Sequence, residues 1–146
     1  MAMNTPRILG GGLAAGLVIN IVDFISNTML FKDRMGTELN AVAPGLMERS
    51  MTASSIVQFV VVDFVLGILL VWLYAAIRPR FGPGPRTAAI AGLVQWLYGG
   101  LFYWVWIVLG MMSTTTFALA SVVQLVSMMV AANVGAMIYK EEAASV

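Results

Sequence analysis

Small and polar residues recur along one face of the first apolar segment of this chain. They are spaced four, four, three and four residues apart, which places them on a single side of an α-helix. The surrounding segment, residues 8–31, is otherwise almost wholly apolar and long enough to cross a bilayer. Because lipid cannot satisfy such polar groups, other protein segments must do so. The residues on this face are Gly12, Gly16, Asn20, Asp23 and Asn27.

Four apolar segments of this kind predict four membrane-spanning helices. The 146-residue chain is 60% hydrophobic and only 10% charged, whereas a soluble domain carries about 25% charged residues. Backbone groups in lipid must be bonded within the segment itself, which favours helices. We therefore expect one all-α transmembrane domain over residues 1–146, folded as an antiparallel four-helix bundle. The predicted helices cover residues 8–31, 55–77, 87–110 and 115–139, with a long outer loop at 32–54.

Basic residues lie mainly on one side of this predicted topology. The side with both termini and the loop 78–86 carries five bases and two acids, and the opposite side carries three of each. A basic excess marks the cytoplasmic side, so we expect both termini in the cytoplasm and the chain in a bacterial inner membrane. The prolines of the loop are predicted to end the second helix at residue 77. The bases Arg78, Arg80 and Arg86 either bind anionic lipid headgroups or serve only as the topology signal.

Cysteine and histidine are both absent from the sequence. Their absence removes thiolate chemistry and the commonest ligand of haem and transition metals. We therefore expect no metal site, no cofactor and no enzymatic activity, since no catalytic motif is present either.

The acids Asp23 and Asp63 are the only ones inside the predicted spans, and each stands in a Val-Asp-Phe triplet. Each lies eight residues from its predicted outer helix end, which is about 12 Å deep, so the two carboxyls are expected to meet and share a proton. One interpretation is a proton- or cation-coupled site. The other is that both acids stay protonated and fasten helices together by hydrogen bonds. In the first interpretation the neutral partners are Asn20, Asn27, Gln58, Gln95 and Gln124.

The third and fourth predicted helices carry similar stripes of small and polar residues, which let helix backbones approach closely in lipid. The smallest residues fall in the inner half, so we expect a bundle that is tight at its inner end and wider at its outer end. Bulky aromatic residues of the third helix, including Tyr103, populate the outer end as an interfacial belt would. The stripes are Ala88, Gly92, Gln95 and Gly99, and Ala120, Gln124, Ser127, Ala131 and Gly135.

A faint internal repeat links the two halves of the chain. Residues 15–18 are identical to residues 91–94, and residues 55–60 are similar to residues 121–126. The order of the matches indicates a duplicated two-helix unit. The alternative is chance, because these residue types are common in any membrane helix.

Three segments together resemble a group of small bacterial inner-membrane proteins with no assigned activity. They are residues 19–24 (INIVDF), residues 72–82 (WLYAAIRPRFG) and residues 86–88 (RTA). The resemblance implies the membrane location but brings no ligand or cofactor. The carboxylate of the first helix is also similar to that of small multidrug-resistance transporters, but those chains are shorter and have tight loops, which argues against membership.

These observations favour a non-catalytic accessory or assembly subunit of a larger bacterial membrane complex, of respiratory or photosynthetic type. Its expected partners are membrane lipids and other integral subunits or a second copy of the chain, and not nucleic acid. The alternative is a small oligomeric proton-coupled transporter that uses Asp23 and Asp63.

Overall fold

The computed structural model describes residues 3–140, which are helical and contain no strand. Within this range four helices are long and apolar enough to cross a membrane, so the chain is a multi-pass membrane protein. The helices are α1 (Thr5–Ile25), which continues into a π-helical turn (Ser26–Leu30), α2 (Lys32–Val42), α3 (Leu46–Ser50), α4 (Ala53–Phe81), α5 (Pro85–Val108) and α6 (Thr114–Ile138).

Each spanning helix begins at a residue suited to that position. The side chains of Asn4, Thr52 and Ser113 accept hydrogen bonds from backbone N–H groups in the first turns of α1, α4 and α6. Such caps satisfy donors that have no partner within the helix. Pro85 is the first residue of α5, where its missing N–H removes no helical bond.

The predicted end of the second spanning helix was wrong. Helix α4 continues through Pro79 to Phe81 instead of ending at residue 77. A proline removes only its own N–H bond, and one turn later the backbone N of Gly82 again donates to the carbonyl of Arg78, at 2.8 Å. Gly82 then ends the helix with a positive φ of 82°.

The other predicted boundaries differ from the structure by a few residues. The first helix starts at Thr5 rather than residue 8 because Asn4 caps it, and its last turn is π-helical. The third helix ends at Val108 and the fourth begins at Thr114. The predicted outer loop also contains two helices, α2 and α3.

The spanning helices pack most closely in the half that contains the start of α1 and the end of α6, which we call the closed half. A Cβ atom added to Gly12 would lie 2.6 Å from the Cα of Ile68, and one added to Gly16 would lie 2.7 Å from the Cα of Phe64. Gly67 of α4 lies directly against the backbone of both glycines. Fully buried small residues continue this packing into α5 and α6, and they confirm the predicted tight end. They include Ala88, Ala91, Ala131 and Ala132.

The opposite half, which we call the open half, has far less interhelical packing. Every residue of α4 from 53 to 62 is exposed except Ser55, which is partly buried. In α5, the residues from 97 to 106 are likewise exposed except Gly100. A helix in a bundle normally buries one face, so these two stretches make few contacts with their neighbours, among them the edge-to-face contact of Trp104 with Phe117. This agrees with the predicted wider end.

Candidate functional site

One polar side chain from each spanning helix contributes to a group in the open half, near its border with the closed half. The group comprises Asp23 of α1, Asp63 of α4, Tyr103 of α5 and Gln124 of α6, and we call it the acid cluster. The charge of Asp23 acts on Asp63, and both acids act electrostatically on the Tyr103 hydroxyl. Gln124 joins the group through its hydrogen bond to Asp23.

Asp23 has a firm hydrogen-bond partner in another helix. The Nε2 atom of Gln124 donates to its Oδ1 atom at 2.6 Å and so ties α1 to α6. A hydrogen bond of this kind between membrane helices is worth about 0.6–2 kcal/mol. Asp23 thus fulfils the fastening role that the sequence allowed.

Asp63 is placed differently. Its side chain is buried, with only 8% of the residue exposed, and no side chain or backbone group within residues 3–140 donates a hydrogen bond to its carboxyl group. Its electrostatic neighbour is another acid, Asp23. Two carboxylates in such surroundings repel each other strongly when both are charged, because little water screens them. A proton bound by the pair removes that repulsion.

Further polar side chains, which we call the second layer, flank the acid cluster, since Asn20 bonds to α4 three residues before Asp63 and Gln95 bonds to it three residues after Asp63. The Nδ2 atom of Asn20 donates to the carbonyl of Gly16 at 2.9 Å and to that of Val60 at 3.4 Å. The Nε2 atom of Gln95 donates to the carbonyl of Leu66 at 3.0 Å. These two amides join α1 and α5 to α4, which is the packing role predicted for them.

Two further polar groups on the α6 side complete this layer. The indole N–H of Trp96 donates to the carbonyl of Ser121 at 2.8 Å and links α5 to α6. The Oγ atom of Ser127 is completely buried and has no hydrogen-bond partner within residues 3–140. Ser127 lies one turn from Gln124 on the same face of α6.

The structure separates the predicted packing residues into three groups. Asp23, Asp63 and Gln124 belong to the acid cluster, Asn20 and Gln95 to the second layer, and Gly12 and Gly16 to the closed half.

Asn27 is not brought into any of these groups. It is exposed and donates only to the carbonyl of Asp23 in its own helix, because the π-helical turn from Ser26 interrupts the register of the stripe. Gln58 is exposed too, and its Nε2 atom bonds to the carbonyl and hydroxyl of Ser54 one turn away.

Tyr103 is the member of the acid cluster that the sequence interpretation missed. We assigned it to an interfacial aromatic belt, and 55% of the residue is indeed exposed. A signal was nevertheless present, because Tyr103 continues the spacing of the α5 stripe, four residues after Gly99. An aromatic residue does not resemble the small residues of that stripe, which is why the pattern concealed it.

Helix α2 attaches to the start of α6 through Glu38. The Thr116 hydroxyl donates to Oε1 of Glu38 at 2.7 Å, and the Ser113 hydroxyl and backbone N–H also bond to this carboxylate. Burial acts to raise the pKa of Glu38, but these hydrogen bonds and the nearby Arg34 outweigh it, so the pKa is lowered. A negative charge at a helix N-terminus is favourable, so Glu38 acts as a cap supplied from another element.

The three bases predicted to bind lipid headgroups differ in exposure. Arg80 and Arg86 are exposed. The guanidinium group of Arg78 lies 5.6 Å from the centre of the Tyr139 ring, and its Nε and Nη1 atoms are buried. Tyr139 in turn makes an edge-to-face contact with Tyr74. Arg78 therefore contributes to packing at the closed end, while the headgroup role of all three bases stays a prediction.

A groove of about 450 Å³ lies between the start of α1 and α4, remote from the acid cluster. Its lining is almost wholly apolar and includes Ile8, Ile68 and Trp72. Among the described residues, no group of three or more acidic, cysteine or histidine side chains is placed to hold a metal ion. Of the acids in residues 3–140, Asp23 and Asp63 are those that lie within the spans.

Comparison with known proteins found no matching protein-family model, no matching curated protein and no matching solved structure. The functional argument therefore depends on the residues themselves.

Proposed function

We propose that the acid cluster binds a proton within the membrane and that the protein is a small proton-coupled transporter working as an oligomer. The observation that carries the proposal is the state of Asp63, which is buried, interacts electrostatically with another acid and accepts no hydrogen bond within residues 3–140. A carboxyl group that served only to fasten helices would be expected to have a partner, as Asp23 does. This contrast favours the second of the two functions predicted from the sequence.

The chemistry of coupling needs an acid whose proton can be gained and lost. Asp23 keeps the same hydrogen-bond donor, Gln124, while Asp63 is free to exchange a proton with its surroundings. A rearrangement that separates the acids or admits water would favour the charged form, and closure would favour the protonated form. The pair can therefore link proton occupancy to the arrangement of the four helices.

The test is a pH titration of the reconstituted protein by difference infrared spectroscopy, which detects the protonated carboxyl band directly. Asp63→Asn should remove a band that titrates in the wild-type protein and abolish pH-dependent proton flux into dye-loaded liposomes, with assembly intact. Asp33→Asn is the matched control, because Asp33 is an exposed acid of α2 outside the spans. Unchanged flux in Asp63→Asn, or loss of assembly instead of flux, would contradict the proposal.

The second candidate function is the accessory or assembly subunit of a larger bacterial membrane complex. The observation that favours it is the exposure of α4 and α5 throughout the open half, which offers apolar surface to another subunit or to a second copy. Purification in mild detergent separates the two candidates. A stoichiometric partner that comigrates with the chain favours the subunit, and a homo-oligomer without other proteins favours the transporter.

Several finer features belong to the same proposal. We place the chain in the bacterial inner membrane as an antiparallel bundle without enzymatic activity, with the closed half and both termini toward the cytoplasm. The basic excess at that end supports this orientation. The proposed duplication is supported by Gly16 and Gly92, equivalent residues that both pack against neighbouring helices. Lipids and other integral subunits remain the proposed partners.

A further inference from the structure

We infer that the acid cluster exchanges its proton with water on the α2 side of the membrane alone, because the closed half forms a dry seal behind it. The inference extends the proposed function, from which it takes the cluster as the proton-binding site. It depends on two independent features, a set of polar groups on the α2 side of the cluster and close backbone packing on the other side.

Polar side chains lie in the first turns of α4, on the α2 side of Asp63. The hydroxyl groups of Thr52 and Ser55 lie 2.9 Å apart at the start of the helix, and Ser54 is bonded to Gln58 at 3.3 Å. Gln58 stands five residues before Asp63, a rise of about 7.5 Å. These groups lie in the exposed stretch of α4, where no other helix covers them. They offer hydrogen-bond partners to water that enters from this side.

The first span and α5 contribute to the same approach. The π-helical turn beyond Asp23 contains the exposed residues Asn27 and Thr28, whose side chains bond only to carbonyls of their own helix. Tyr103 of α5 is more than half exposed while its hydroxyl lies within electrostatic range of both acids.

The route from the cluster toward the other side is closed by backbone contact. Gly67 lies against Gly12 and Gly16, and a Cβ added to Gly135 would meet Val71 and, at 3.2 Å, the carbonyl of Gly11. From Phe64 to Leu73, α4 presents only apolar residues, glycine and one tryptophan, over about 15 Å. The amides that border this region, Asn20 and Gln95, already donate to backbone carbonyls. Water crossing the seal would have to separate the helices.

The test uses single cysteines, because the wild-type chain contains none and gives no background labelling. A charged, membrane-impermeant methanethiosulfonate reagent is added to either side of the membrane, in spheroplasts and in inverted vesicles. Only a thiolate in contact with water reacts, so lipid-facing positions stay unlabelled. Thr37→Cys on α2 and Arg86→Cys at the start of α5, both exposed, identify the two sides without reference to any assumed topology.

We expect Asp63→Cys to be labelled at least about tenfold faster from the side that labels Thr37→Cys. Tyr103→Cys should behave in the same way, and because Tyr103 is exposed this variant stays informative if Asp63→Cys does not fold. Ser127→Cys, a nearly isosteric change, should not be labelled from the Arg86 side.

Labelling of the cluster positions from the Arg86 side, or from neither side, would overturn the inference, as would labelling of Ser127→Cys from the Arg86 side. The outcome is independent of proton flux. One-sided labelling without a titrating carboxyl band would reject the proposed function and keep the access route. Two-sided labelling together with a titrating carboxyl band would reject the access route and keep the proposed function.

Discussion

Replacement of Gly67 by alanine tests whether backbone contact between α1 and α4 holds the closed half together. The added Cβ would lie 2.6 Å from the Cα of Gly16 and closer still to the Gly16 nitrogen and the Gly12 carbonyl oxygen. Carbon atoms in contact are about 3.5–4.0 Å apart, so the helices must separate by about 1 Å. All three obstructing atoms belong to the backbone, so no side chain can move aside to relieve the overlap.

The expected energy follows from two opposing effects. Overpacking of a tight interface lowers the free energy of unfolding by about 1–3 kcal/mol, whereas replacing a glycine inside a helix by alanine raises it by about 0.5–1 kcal/mol. The separation also reduces contacts at Gly12 and Gly16, so we expect a net decrease of about 2 kcal/mol in the free energy of unfolding. Reversible denaturant unfolding in detergent micelles measures this quantity.

Gly99→Ala is the matched control. Gly99 lies in α5, and a Cβ added there meets nothing within 4 Å. The same substitution should therefore leave stability unchanged or raise it by up to about 1 kcal/mol. If Gly67→Ala and Gly99→Ala unfold with equal free energies, the closed half is not held by the contacts described, and the reasoning about the dry seal fails with it.

Two further predictions concern polar groups. The folded state lowers the pKa of Glu38 below its ordinary 4.5. The stability contributed by the contact between Glu38 and the start of α6 is therefore fully present above that value and is lost as the pH falls through the folded-state pKa. Glu38→Gln should therefore reduce stability by about 1 kcal/mol at neutral pH and have little effect in stronger acid, whereas Glu48→Gln on α3 changes little at either pH. Ser127→Ala should maintain the free energy of unfolding or raise it by about 1 kcal/mol, because it removes a buried hydroxyl without a partner. A loss of more than about 1 kcal/mol in Ser127→Ala would mean that the hydroxyl is hydrogen-bonded after all.

The number of spanning helices and their close-packed faces could be predicted because each depends on a local pattern. Long apolar segments require helices in lipid, and glycine and alanine at helical spacing allow the backbones to approach. Gly12, Gly16 and Gly92 were identified in this way and are buried against neighbouring helices. Asp23 and Asp63 were expected to meet at equal depth. In the structure they lie seven and ten residues from the ends of their spans and interact electrostatically, and their direct contact stays a prediction.

What the sequence did not reveal depends on contacts between distant segments or on small backbone adjustments. Glu38 and Thr116 are separated by 78 residues, and nothing local to either one indicates their hydrogen bond. Pro79 remains within α4 because helical hydrogen bonding resumes at Gly82, whose backbone N–H donates to the Arg78 carbonyl. A rule that ends a helix at any proline does not take this into account. Tyr103 required the direction of its side chain to be known.

The π-helical turn gives the first span one residue more than ordinary α-helical winding would need there. Its ring closes from the Phe31 nitrogen to the Ser26 carbonyl, five residues apart, where an α-helix would close over four. Deleting one residue from this turn would close it as an α-helical turn and leave α2 close to its present position, whereas deleting one from the regular part of α1 would rotate everything that follows by about 100°. Glu38 would then lose its contact with α6, so single-residue deletions should be tolerated between Ser26 and Leu30 and near Gly45 but not within α1.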